Sequence, residues 1–138
     1  MKRIIIDASI TMAWLFDEDS GASKIKSVLD RCELVAPWLW RLEVANAVLV
    51  RERRKILTEA QGFRLLQLID QLTIELVAEP VARTATTLAQ TARPHQLSSY
   101  DAVYLDLAIR LGLPLFTQDN NLRVAAGRVG VPLITAGV

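Results

Sequence analysis

The chain has 138 residues, 51% of them hydrophobic, and carries 16 Lys and Arg against 15 Asp and Glu, for a formal net charge of +1. That length and apolar content predict one domain with its own core, and near-neutrality excludes a protein-wide basic field, so any nucleic-acid surface has to be local. A single cysteine, Cys32, and a single histidine, His95, exclude an internal disulfide and a Cys/His zinc site, which leaves oxygen ligands as the available metal chemistry.

Met1-Lys2-Arg3 precedes Ile4-Ile5-Ile6, but the apolar run breaks at Asp7 and is too short for the h-region of a signal peptide. No stretch reaches the roughly 20 apolar residues that span a bilayer, so a soluble, cytoplasmic protein without membrane partners is expected. Residues 3–7 predict the first strand, 20–31 a helix and 33–36 a second strand. Helices follow over 39–55 and 58–72, forming a hairpin around Ile56-Leu57, and 74–78 is a third strand. Two more helices, 81–92 and 98–111, lead to a strand at 115–117. A helix over 120–128 and a strand at 133–135 complete the pattern. Thr58 marks a helix start, while Gly112 with Pro114 and Gly130 with Pro132 mark stops. Alternation of this kind predicts an α/β fold. The strands are mostly apolar throughout, as parallel strands covered on both faces are, so the sheet is expected to be central and mainly parallel. No repeat or linker divides residues 1–138.

In an open parallel sheet, ligands bind beyond the carboxyl ends of the strands. Asp7 closes the first apolar run, and Asp119 follows the Leu115-Phe116-Thr117 run just ahead of a helix. Either acid alone has an equally good account as a helix N-cap, worth about 1 kcal/mol. Asp101 has an ordinary account too, since Ser98-Ser99-Tyr100-Asp101 has the form of a capping box. Glu43 is harder to dismiss, because Leu39-Trp40-Arg41-Leu42-Glu43-Val44-Ala45-Asn46-Ala47-Val48 surrounds it mainly with apolar residues. Helical spacing puts Leu39, Glu43, Asn46 and Val50 on one face, with Glu43 and Asn46 as its polar patch. Carboxylates brought together raise one another's pKa and oppose folding unless a cation joins them. Oxygen donors without His or Cys suit Mg²⁺ or Mn²⁺, ions that keep exchangeable waters for a phosphate.

Four segments in order carry a resemblance: Ile5-Ile6-Asp7-Ala8-Ser9, Glu43-Val44-Ala45-Asn46-Ala47, Ser99-Tyr100-Asp101-Ala102-Val103-Tyr104, and Leu115-Phe116-Thr117-Gln118-Asp119-Asn120-Asn121-Leu122. Over nearly its whole length the chain resembles a PIN domain, in particular the short toxin nucleases called VapC. The resemblance implies a single PIN domain with a three-layer α/β/α fold. It implies that Asp7, Glu43, Asp101 and Asp119 form a catalytic, metal-binding quartet for Mg²⁺ or Mn²⁺, with Ser9 and Thr117 as supporting hydroxyls. The reaction implied is hydrolysis of RNA phosphodiester bonds, and the partners implied are an RNA substrate, a small antitoxin protein and a second copy of the chain in a homodimer.

Arg51, Arg53, Arg54 and Lys55 offer a basic cluster at a helix C-terminus, where cations are also favoured by the helix dipole. Arg41 lies nearer the acids. Trp14, Trp38 and Trp40 are expected to pack in the core or at a subunit interface. Asp106, five residues beyond Asp101, turns to another face of its helix. Two rival functions are set against the nuclease. One is a haloacid-dehalogenase-like phosphatase, whose loop Asp7-Ala8-Ser9-Ile10-Thr11 partly resembles but whose second aspartate is replaced by Ser9. The other is a PIN fold kept only for RNA or protein binding.

Overall fold

Ile4, Ile5 and Ile6 are completely buried at the middle of a four-stranded sheet. Burying each side chain contributes about 1.5–3 kcal/mol relative to exposure. In this computed structural model, which describes residues 1–16 and 21–136, the strands are β1 (Lys2–Ile6), β2 (Cys32–Pro37), β3 (Ile74–Val77) and β4 (Leu115–Phe116). They lie in the order β3-β2-β1-β4, and every pairing is parallel.

The helices are α1 (Ala8–Leu15), α2 (Ala22–Arg31), α3 (Leu39–Arg53), α4 (Glu59–Asp70), α5 (Ala85–Ala92), α6 (Ser99–Leu111) and α7 (Asn120–Val129). From β1 to β3 the chain steps in one direction across the sheet, and then it returns to β4 on the far side of β1. Because parallel crossovers are right-handed, α1–α4 belong on one face and α5–α7 on the other. The packing follows that division: α1 lies on α2 and α3, α3 on α4, α5 on α6, and α6 on α7. The result is the expected three-layer α/β/α arrangement.

Three local readings differ from the sequence expectation. α1 was not anticipated, because Ala8-Ser9-Ile10-Thr11-Met12-Ala13-Trp14-Leu15 has no polar face. The helix buries Ala8, Ile10, Thr11, Ala13 and Leu15, so its surroundings, not amphipathic spacing, support it. The helix expected over 81–92 begins only at Ala85, where Thr84 and Thr87 form a reciprocal capping box that lacks the usual Glu or Gln. The strand expected at 133–135 is a single bridge between Leu133 and Leu115, since the two-residue β4 offers almost nothing further to pair with. The start of the helix expected over 20–31 falls at Ser20, outside the described residues, while Ala22–Arg31 is helical.

Helix ends read well from sequence. Thr58 caps α4 in a complete capping box with Gln61, and Gly112 and Gly130 end α6 and α7 with φ of 64° and 77°, the left-handed conformation that glycine adopts without penalty. Trp40 is buried, and its Nε1 donates to Thr11 Oγ1 at 2.9 Å. Trp14 packs at the core's edge. Trp38 departs from core packing: it is 49% exposed and carries the Arg41 guanidinium 4.2 Å from its ring centroid.

Candidate active site

The strand order reverses direction between β1 and β4, and the crevice at the carboxyl ends of such a pair is where open α/β sheets take ligands. Asp7 leaves the end of β1, with its amide donating to the Phe116 carbonyl of β4 at 3.3 Å. Three residues beyond β4, Asp119 caps α7. Glu43 arrives from the second turn of α3 and Asp101 from the first turn of α6. All four acids line one hollow of about 180 Å³, together with Ser9 and Tyr104.

Asp7 is buried and fixed on every side. Its Oδ1 accepts from the Ile10 amide at 3.0 Å, capping α1. The Ser9 hydroxyl donates to Oδ1 and Oδ2 at 2.8 and 2.9 Å, and the Thr117 hydroxyl donates a short bond to Oδ2. Burial pushes the Asp7 carboxyl up to about 6; the bonds from Thr117, Ile10 and Ser9 oppose that rise, and the charge of Asp101 adds to it. Ser9 and Thr117 also touch each other at 3.1 Å and receive the amides of Gln118 and Asp119, both at 3.0 Å. Capping and lining the hollow are therefore not alternatives for Asp7 or Asp119, since each does both.

Asp101 departs from its capping-box reading. Its amide donates to Ser98 Oγ at 3.1 Å, but the return bond from its carboxylate, present in the boxes at Thr58 and Thr84, does not form. The carboxylate lines the hollow instead. Burial raises its pKa, and so does the charge of Asp119. Burial raises Glu43 likewise, with a further push from Asp101, against a 2.7 Å bond from the Tyr104 hydroxyl.

Tyr104 was not singled out as a site residue by sequence reasoning. The available signal was its place one turn beyond Asp101, on the same side of α6. Asn46 is exposed and is not among the residues lining the hollow, so the polar patch expected with Glu43 stops at Glu43. Asp106 faces elsewhere, bonded to Arg83 and, at 2.7 Å, to Arg110. Arg53, Arg54 and Lys55 are exposed at the end of α3, whereas Arg51 lies 3.8 Å from the centroid of the Phe16 ring.

Residues 4–128 match the family model of the PIN domain. The chain belongs to the PIN domain family. Among its relatives, Ribonuclease VapC3 of Pyrobaculum aerophilum is 28% identical over 120 residues, which cover 87% of this chain and 92% of that protein. Two solved structures share the fold. PAE2754 from P. aerophilum has a TM-score of 0.68 at 23% identity, covering 91% of this chain and 79% of its own. VapC20 of Mycobacterium tuberculosis, described as a toxin cleaving the sarcin-ricin loop, has a TM-score of 0.62 at 14% identity, covering 88% and 94%.

The donors at the hollow of this PIN domain are carboxylates and hydroxyls, with neither imidazole nor thiol. Asp7, Glu43 and Asp101 are held above their ordinary pKa values by burial and by the charge of a neighbouring acid, Asp101 for the first two and Asp119 for the third. The acids ring the hollow without converging on a point: among the described residues, no three His, Cys, Asp or Glu side chains are grouped tightly enough to hold an ion as they stand. The set nonetheless fits a hard divalent cation in donor chemistry and charge, since such an ion would relieve the repulsion that the fold builds in.

Proposed function

We propose that this PIN domain, taken as residues 1–138, is a divalent-metal-dependent endoribonuclease and the toxin of a VapC-type toxin–antitoxin pair. The observation that carries the reading is the meeting of Asp7, Glu43, Asp101 and Asp119 in one hollow at the β1/β4 switch point. The kinship with Ribonuclease VapC3 supports RNA as the substrate.

In this reading the four carboxylates hold Mg²⁺ or Mn²⁺. When bound, the ion supplies Lewis-acid polarisation of the phosphate and a lowered pKa for attacking water. Ser9 and Thr117 hold Asp7 in one orientation, and Tyr104 holds Glu43; such supporting bonds fix how a carboxylate meets a metal. Burial of Asp7 keeps bulk water from competing at its carboxylate.

A small antitoxin and a second copy of the chain are the protein partners of this reading, and an RNA substrate implies a cytoplasmic site of action. Exposed apolar side chains on α3 and α4, among them Leu42 at 66% and Phe63 at 64%, supply surface for such contacts. Among the described residues no helix is long and apolar enough to cross a membrane.

The test is incubation of antitoxin-free protein with total cellular RNA and Mg²⁺ or Mn²⁺, beside a chelator control and an Asp101→Asn variant, with mapping of new RNA ends. Metal-dependent cleavage absent from the variant is the expected result. Folded, metal-loaded protein that cuts no RNA class, or that releases phosphate from a phosphomonoester instead, overturns the reading.

A further inference from the structure

Adjoining the acidic hollow is a second and larger one, of about 440 Å³, within the roughly 300–1,000 Å³ usual for small-molecule sites. The two adjoin at Ser9 and Thr117. Ser9 lines the acidic hollow and Thr117 lines the larger one, and their hydroxyls are 3.1 Å apart. The character of the walls inverts across that pair. On one side stand four carboxylates; on the other, the ionisable side chains among the described lining residues are Lys24 of α2 and Arg123 of α7. Neither cation forms an ion pair with another described residue. Ile10, Ile25 and Phe116 close the floor, while Gln118 and Thr135 offer groups that can both donate and accept hydrogen bonds.

We propose that this second hollow holds the nucleotide next to the scissile phosphate of a single-stranded RNA, with Lys24 and Arg123 on its backbone phosphate and Gln118 and Thr135 on its base. The proposal deepens the nuclease reading and rests on it for the identity of the strand. The physical case is complementarity along a chain: a polyanion needs metal-bridged contact where it meets carboxylates and direct cationic contact one step further on. An apolar floor with two polar amide and hydroxyl groups suits a base better than it suits a bare anion. Gln118 is well placed to couple the two hollows, because its backbone amide donates to Ser9 while its own residue lines the cationic side.

The experiment measures binding apart from cleavage. A fluorescein-labelled single-stranded RNA decamer of random sequence is titrated in chelator onto Asp101→Asn protein, with and without the added pair Lys24→Gln and Arg123→Gln. Both cations are exposed, so the pair is expected to fold, and thermal melts check it. Affinity should fall about tenfold, and the slope of log affinity against log salt should become shallower by about 0.7, the share of one phosphate contact on a single strand. In separate titrations, 5′-mononucleotides should shift the amide resonances of Ile25, Gln118 and Thr135. In the cleavage-competent background the pair should raise KM with little change in kcat.

If the wild type cuts RNA but the pair variant binds and cuts equally well, the nuclease reading stands and the nucleotide hollow is overturned. If the wild type cuts nothing but RNA binding still depends on the pair, the hollow stands and the nuclease reading fails. Polyglutamate of equal charge that competes as well as RNA, or an RNA affinity unaffected by the pair, overturns the nucleotide assignment.

Discussion

The Tyr104 hydroxyl donates a 2.7 Å hydrogen bond to Oε1 of Glu43, tying α6 to α3, helices that the crossovers send to opposite faces of the sheet. The ring is buried, and burial together with the Glu43 charge holds the phenol well above its usual pKa, so it remains a donor. In the nuclease reading it is a positioning residue for a metal-binding carboxylate.

Tyr104→Phe should therefore keep the packing of the ring and lose the orientation of Glu43. A stability loss of about 1–3 kcal/mol is expected from a bond to a charged acceptor, read by denaturant melts. Metal affinity should fall about 10–100-fold, as it does when a ligand loses its supporting bond. A titration of cleavage against Mn²⁺ checks this: a right-shifted curve that recovers at high metal fits positioning, and an unshifted curve opposes it.

Thr117→Val preserves shape and removes the hydroxyl that donates to Asp7 and accepts from the Asp119 amide. That donor lowers the Asp7 pKa, so its loss should move the carboxyl above its present value of about 6. NMR titration of the Asp7 side-chain carboxyl in metal-free protein measures the direction. A fall, or no movement, contradicts the network described.

Asp7, Glu43 and Asp101 are raised in the folded state, so the metal-free fold binds more protons than the unfolded chain as they titrate. Stability of metal-free protein should rise as pH falls from about 7 towards about 4.5. Asp106 has the opposite sign: Arg83 and Arg110 hold it below 3.8, so its contribution is present above that value and is lost as pH drops through its lowered pKa. The metal-free melting temperature should therefore pass through a maximum on the acid side. Saturating Mg²⁺ should raise stability near pH 7 and flatten the rise, because a bound ion offsets the same repulsion. A melting temperature near pH 7 that does not respond to Mg²⁺ or Mn²⁺ would count against the metal site.

Asp106 is an acid on the same helix as Asp101 with a different task. Its carboxylate joins Arg83, whose side chain is 11% exposed, to Arg110. Asp106→Asn leaves a nearly buried guanidinium with only its longer, 3.7 Å ion pair to Glu79 and should cost about 1–3 kcal/mol. Since Asp106 does not line the hollow, turnover at a temperature where the variant is folded should be unaltered. Loss of cleavage with stability intact would assign Asp106 a role that its geometry does not support.

The sequence alone determined the α/β alternation, the parallel sheet, most helix ends, and the placing of Asp7 at a strand exit and of Asp101 and Asp119 at helix starts. These are local properties: apolar periodicity, glycine at a left-handed cap, and an acid where an apolar run stops. Tertiary structure decided the rest, because each remaining feature depends on a partner distant in the chain. α1 forms without an amphipathic pattern because the core covers several of its sides. Leu133 makes one bridge, not a strand, because β4 is two residues long. Asn46 stands exposed while Glu43 meets Tyr104, 61 residues away, and Ser9 meets Thr117 across 108. Helical spacing puts Glu43 and Asn46 on the same side of α3, but only the approach of α6 makes Glu43 part of the hollow.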